Sequence, residues 1–235
     1  MKTLKFLLIV VVGIVLAFNA FLLPFQALAF STDYYVESFT KLEVHNTVGI
    51  TTDSLFRVTD ALVTFIDNGS GNIKLIEFVN GEDVVFYNEK EQIHLNDIRL
   101  LVQSGRYFIL FMNALLLISL IFIIYQDKKE KIKLGKNITH MFKAAFFATI
   151  AGLSFLIALY FIDFNWAFTK FHEIFFTNDL WLLNPKTDRL IQLMPLEFFI
   201  EFVAKWLSRV AMILGVYVLI GFILPILSRA KGKKI

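Results

Sequence analysis

The sequence predicts a mainly α membrane protein, four transmembrane helices with a small extracytoplasmic α+β cap, and three observations carry that prediction. Of the 235 residues 57% are hydrophobic and only 18% charged, with a mean hydropathy of +0.66. A soluble domain runs at about 45–50% apolar with about a quarter of its residues charged. The apolar residues fall in blocks long enough to cross a hydrocarbon core of about 30 Å, which takes roughly 20 residues of helix. Lysine and arginine collect in three short stretches that fall on one side if there are four spans.

The first block runs from Phe6 to Phe30, broken by Asn19 and Pro24. Ala27-Leu28-Ala29 has the form of a signal-peptide cleavage site, but the block far exceeds the roughly 7–15 residues of a signal peptide's apolar core. It is therefore expected to be retained, giving a first transmembrane helix over 1–30. The second and third spans are expected over 106–126 and 141–163, and the fourth over 203–228, with Pro225 near its end.

Lys2 and Lys5 precede the first span. Lys128, Lys129, Lys131, Lys133 and Lys136 crowd the 127–140 loop, and Arg229, Lys231, Lys233 and Lys234 close the chain over 229–235. Both ends and that loop are accordingly expected in the cytoplasm, with these lysines as anchors on anionic lipid. The opposite side is acidic on balance, carrying Asp33, Glu37, Glu43, Asp53, Asp60, Asp67, Glu77, Glu82 and Asp83. No nucleic-acid site is expected.

The 31–105 segment is too polar to span and too patterned for a plain loop. Thr51-Thr52-Asp53-Ser54 reads as a helix start, apolar residues from Leu55 to Ile66 follow at helical spacing, and Asn68-Gly69-Ser70-Gly71 ends the run. Ile73–Val79 reads as a strand, Asn80-Gly81 as a turn, and Val84–Tyr87 as a second strand. Asn96 or Asp97 is the expected cap of a helix entering the second span. The 164–202 segment, also extracytoplasmic, mixes polar groups with aromatics, as suits backbone at headgroup level.

The chain has no cysteine, which excludes disulfides, thiolate metal sites and a cysteine nucleophile. No Gly-x-Ser-x-Gly and no phosphate-binding glycine loop occurs. His172-Glu173 opens like a zinc-protease motif, but Phe176 stands where its second histidine belongs. Nothing in the spacing of His45, His94 and His172 supports a zinc site, and no metal or cofactor is expected. His140 sits beside Lys136 and Lys143 on the cytoplasmic side. Proton-transfer chemistry thus points to the outer histidines, whose unperturbed pKa suits it near neutrality, against the alternative of hydrogen-bonded structural residues. His94 and Asp97, three apart, share a face if helical.

The segments Phe86–Ile98, which contains His94-Leu95-Asn96-Asp97, and Phe171-His172-Glu173-Ile174-Phe175-Phe176 resemble two motifs of one bacterial family. It is the four-span family of Gram-positive bacteria that includes the lipoprotein intramolecular transacylase. Asn178-Asp179-Leu180-Trp181, Thr187–Ile191 and Pro195-Leu196-Glu197-Phe198-Phe199 continue the likeness. The resemblance implies an enzyme of the cell membrane acting on diacylglyceryl-modified lipoproteins amid membrane lipid. It would move the sn-2 acyl chain to the α-amino group of the N-terminal cysteine, giving a lyso-form lipoprotein. Catalysis is carried onto His94 and His172 on the outer face, with Asp97, Asn178, Asp179 and Glu197 in support. His94, oriented by Asp97, is the expected base and His172 the expected acid, with exchange of the roles left open. The rival reading is a non-enzymatic membrane sensor or assembly factor with an extracytoplasmic binding domain; a metal-dependent membrane hydrolase is a third.

Overall fold

The computed structural model describes residues 2–130 and 134–231; Lys131, Lys133, Lys233 and Lys234, used in the charge argument, lie outside the described residues. The elements run α1 (Lys2–Ala29), α2 (Thr32–Lys41), α3 (Val44–Val48), α4 (Thr52–Asn68), β1 (Ile76–Val79), β2 (Glu82–Val85), α5 (Glu89–Glu130), α6 (Leu134–Ile162), α7 (Phe164–Phe175), α8 (Arg189–Leu193) and α9 (Leu196–Val218). A π-helical turn at Leu219–Ile223 leads into α10 (Leu224–Lys231). Among the described residues four helices are long and apolar enough to cross a membrane, Thr3–Ala29, Glu89–Lys129, Gly135–Leu159 and Leu196–Leu227.

The chain packs as two compact units. One comprises Met1–Pro24, Tyr107–Phe164 and Trp206–Ile235, and holds the apolar lengths of α1, α5, α6 and α9. Gly13 lets α1 lie against α6: a methyl group there would fall 2.4 Å from the Ala144 Cβ. Ile9, Val12, Ile123 and Met141 form one buried cluster, and Ala20, Ala145 and Tyr217 another. Polar links tie the helices where no water competes. Asn19 and Asn113 exchange amide hydrogen bonds, Trp206 Nε1 donates to the Phe21 carbonyl at 2.8 Å, and Tyr217 Oη to the Leu16 carbonyl at 2.7 Å. Lys5, expected as a lipid anchor, is instead buried and paired with Asp127, whose two oxygens also accept from Asn137 Nδ2 at 2.8 and 2.6 Å.

The other unit comprises Phe25–Arg106 and Asn165–Lys205. Thr51 caps α4 by accepting from the Ser54 amide at 3.1 Å, and Gly69 ends it at φ 82°, as Thr51–Ser54 and Asn68-Gly69 predict. Asn80 and Gly81 both hold positive φ, 51° and 100°. That is the two-residue turn whose twist matches a hairpin. The first strand is shorter than expected and the second is shifted. β1 starts at Ile76 because Asn72 Oδ1 accepts from the Lys74 amide and bends the backbone ahead of it. The tight turn pairs Val79 with Glu82, so β2 starts there and ends at Val85. Phe86 and Tyr87 then turn into the core, both fully buried, with Tyr87 Oη donating to the Val58 carbonyl at 3.0 Å. Phe39, Leu55, Leu62, Leu95, Leu193 and Phe198 complete that interior.

Two differences bear on function. Ser31 accepts from the Tyr34 amide and starts α2, an element the sequence reading left unassigned. The helix carrying His94 begins at Glu89, with neither Asn96 nor Asp97 as its cap. Asn88 Oδ1 accepts from the Glu91 amide at 3.0 Å while Glu91 Oε2 accepts from the Asn88 amide at 2.7 Å. This reciprocal pair satisfies two amides that an open helix end leaves without partners. His94 and Asp97 are therefore both inside α5, and Asp97 is not an N-cap.

Candidate active site

α5 and α7 each supply one histidine, and both rings are in the second unit. His94 is 4% exposed and His172 8%, and their ring centroids are 6.1 Å apart at 37°. Phe176, held at the end of α7 by its amide donating to the His172 carbonyl at 2.8 Å, packs 5.2 Å from His94 and 5.6 Å from His172. Trp181 stacks on His172 at 4.8 Å, while Phe168 lies 4.1 Å away and Phe171 meets it edge-on at 5.3 Å. The two imidazoles thus sit in an aromatic, water-poor enclosure.

The hydrogen bonds distinguish them. His172 Nδ1 lies 2.7 Å from the Phe168 carbonyl oxygen. A carbonyl only accepts, so Nδ1 carries the proton and Nε2 keeps its lone pair. His94 Nδ1 is buried with no hydrogen-bond partner among the described residues. Burial lowers the His172 pKa, with the Phe168 carbonyl pulling it back up. In the polar part of α5, ahead of the apolar run that starts at Tyr107, burial pushes His94 down to about 4. The neighbouring His172 adds to the drop, Asp97 opposes it, and Lys90 lowers it further. Both rings are therefore neutral near pH 7.

The segment between α7 and α8 is stapled to the start of α5. Asn178 Nδ2 donates to Asp97 Oδ2 at 2.9 Å, Lys90 Nζ to the Leu182 carbonyl at 2.5 Å, and Asn88 Nδ2 to Asp188 Oδ1 at 3.0 Å. Glu91, fully buried, accepts the Leu190 amide at 2.6 Å. Burial raises its pKa, and the amides of Leu190 and Asn88 hold it back. Arg189 secures the other side by donating to the Phe86 carbonyl at 2.7 Å.

Of the six residues read from the sequence, the structure brings His94, His172, Asp97 and Asn178 together. Among the described residues no hydrogen bond joins Asp97 to His94; Asp97 Oδ2 accepts from Asn178, and the influence of Asp97 on His94 is through space. Asp179 is exposed and contributes its carbonyl to the Leu182 amide. Glu197 is exposed in the first turn of α9, where a carboxylate favours the helix dipole. Neither side chain is hydrogen-bonded to the described residues. His45 lies on α3, and among the described residues no three His, Asp or Glu side chains are grouped as a metal site requires. Sequence reasoning assigned no role to Phe168, which fixes a tautomer through its main chain and so leaves no side-chain signal. It also missed Glu91, although Asn-x-x-Glu at 88–91 is a capping pattern.

No curated protein sequence matches the chain. Among solved structures it is similar to the membrane-integral lipoprotein intramolecular transacylase Lit of Bacillus cereus, with a TM-score of 0.76 and 21% identity over 99% of this chain and 100% of that one. Two further structures of the same Bacillus cereus protein, with a histidine replaced by arginine or by alanine, match at a TM-score of 0.72 and 21% identity. The arginine form is covered over 96% of its length and the alanine form over 97%, against 100% and 99% of this chain. That likeness establishes the fold, a membrane-integral helical protein. The sequence model of the family described as lipoprotein intramolecular transacylase Lit matches residues 9–199. With most of its length so matched, the chain belongs to the lipoprotein intramolecular transacylase family and is an intramolecular acyltransferase.

Proposed function

We propose that the protein moves the sn-2 acyl chain of a diacylglyceryl lipoprotein to the α-amino group of its N-terminal cysteine, with His172 as base and His94 as acid. The observation that carries this is the pair of buried, neutral imidazoles 6.1 Å apart, one with its tautomer fixed. Amine and ester belong to one substrate, so attack is intramolecular and gains from proximity; no enzyme nucleophile is required. The nitrogen attacks the ester carbonyl and gives its proton to His172 Nε2. The carbon–oxygen bond to glycerol breaks, and that oxygen takes a proton from His94 as His94 receives the one gained by His172, so both rings end neutral. An amide and a free glyceryl hydroxyl result. This exchanges the roles first expected, because Nδ1–H of His172 is committed to Phe168.

The lysine distribution supports a cytoplasmic location for both termini and the 127–140 loop, leaving 31–105 and 164–202 on the outer face with the histidines. Membrane lipid is then the medium that delivers the anchored substrate, and nucleic acid has no part. The test is mass spectrometry of the N-terminal peptide of a model lipoprotein in a strain without other N-acylating enzymes. An N-acyl, monoacylglyceryl cysteine that appears only with this protein supports the proposal. An unchanged diacylglyceryl cysteine, with the protein present in the membrane, refutes it.

A further inference from the structure

Beside the histidines, within the same unit, lies a cleft of about 290 Å³ lined by Asp97, Leu100, Leu101, Ser104, Phe175, Phe176, Thr177 and Asn178. Leu100, Leu101, Phe175 and Phe176 form its apolar part and Asp97, Ser104, Thr177 and Asn178 its polar part, and no lysine or arginine is among them. Asp97 is half-buried and uses one oxygen, Oδ2, to accept from Asn178; Oδ1 has no partner among the described residues. A half-buried carboxylate with one oxygen free and no lysine or arginine in its cleft lacks a cation, since burying an unpaired charge is costly. Phe176 connects this cleft to the chemistry, because its ring touches both histidines. Asp97 is also one helical turn beyond His94, on the same side of α5.

We propose that this cleft is the ammonium subsite of the enzyme: Asp97 Oδ1 accepts a hydrogen bond from the substrate's α-ammonium group, and the Phe175 and Phe176 rings flank it. The proposal rests on the transacylase reading above and adds to it how the substrate terminus is recognised. A free α-amino group, with a reference pKa near 8, is cationic at neutral pH. An ammonium–carboxylate hydrogen bond out of bulk water is about twice as strong as a neutral one. Aromatic rings add to the attraction for a cation. The arrangement also has a direction. Loss of one proton to solvent frees the amine to attack, and transacylation then leaves a neutral amide, so the group that anchors the substrate is gone from the product, and the cleft holds one and releases the other. Asp97 here touches substrate, which differs from the imidazole-orienting role expected from the sequence.

The test uses two unreactive probes titrated into the full-length protein in phosphatidylcholine bicelles at pH 6.5. Both are short peptides starting with a glyceryl-modified cysteine whose two chains are ether-linked; one has a free α-amino group and the other is N-acetylated. Wild-type protein is expected to bind the free amine about tenfold more tightly or better, a discrimination of about 1.4 kcal/mol. Asp97→Asn, which keeps a hydrogen bond to Asn178, is expected to bind both probes with the affinity wild type shows for the acetylated one. Asp97→Glu is expected to restore part of the preference. Equal binding of both probes to wild type, or a preference retained in Asp97→Asn with an unchanged thermal midpoint, overturns the ammonium subsite and leaves the transacylase reading standing. Failure of both probes to bind wild type overturns the two together.

Discussion

Glu91 and Leu190, 99 positions apart, are joined by a 2.6 Å hydrogen bond from a backbone amide to a fully buried carboxylate. The other oxygen of that carboxylate closes the capping box at the start of α5. One side chain therefore satisfies amides in two elements and fixes His94, one turn along, relative to the segment that carries Trp181. Replacing it by alanine strips partners from two amides. The expected loss is about 2–4 kcal/mol, from about 1–3 kcal/mol for each unsatisfied buried donor and about 1 kcal/mol for a lost cap. A thermal melt of the detergent-solubilised protein reads it. Glu91→Ala with a wild-type midpoint and turnover would remove the carboxylate from this argument.

Replacing either histidine should abolish acyl migration while leaving the protein level in the membrane normal. General acid or base catalysis contributes about 10²–10⁴-fold, so His94→Ala and His172→Ala are each expected to fall by at least about a hundredfold in a lipopeptide assay. Effects of residues acting as a unit do not add, so the double variant should be little slower than either single one. Full activity in His172→Ala refutes the pair.

The pH dependence has a definite sign. Both histidines have folded pKa values below the usual 6.5, His94 at about 4. Between those values and 6.5 the unfolded chain binds more protons than the folded one. Stability is therefore fully present above 6.5 and is lost as pH falls from 6.5 toward 4. Melts across that window should show a falling midpoint that flattens in His94→Ala. Activity should show no inflection from His94 at 6–7, since burial keeps that ring neutral there. It should rise toward pH 8 as the substrate amine loses its proton; a histidine-like inflection near 6.5 would mean the rings are solvated during turnover.

In the apolar unit, Lys5, Asp127 and Asn137 form a buried polar link among α1, α5 and α6. Asp127→Ala leaves an ammonium group without its counter-charge, which for buried pairs costs about 3–5 kcal/mol. Lys5→Met combined with Asp127→Leu removes both charges and should be near neutral by the same reasoning. Thermal stability of the single and double variants decides it; an unaffected Asp127→Ala would show that water reaches the pair.

Much of the fold was legible because its signals are local. An apolar run of about 20 residues dictates a spanning helix wherever it occurs. Thr51, Gly69 and Asn80-Gly81 set their own backbone and mark α4 and the hairpin turn. The same kind of signal at Asn88-x-x-Glu91 and at Ser31 was present and unread, which misplaced the start of α5 and left α2 unassigned. The five-residue α3, closed at both ends by left-handed residues, has too short a pattern to read.

The histidines themselves came from a family resemblance, and no periodicity in the chain selects them over His45. Residues alone determined the four apolar helices, the absence of thiol chemistry, and the polar segments between them. The tertiary structure decided which groups meet. It set His94 6.1 Å from His172 across 78 positions, turned Asp97 to Asn178 across 81, and assigned the His172 proton through the main chain of Phe168. The physical reason is range. Helix and turn signals act over a few residues, whereas a buried imidazole's tautomer and pKa depend on whatever distant chain packs against it.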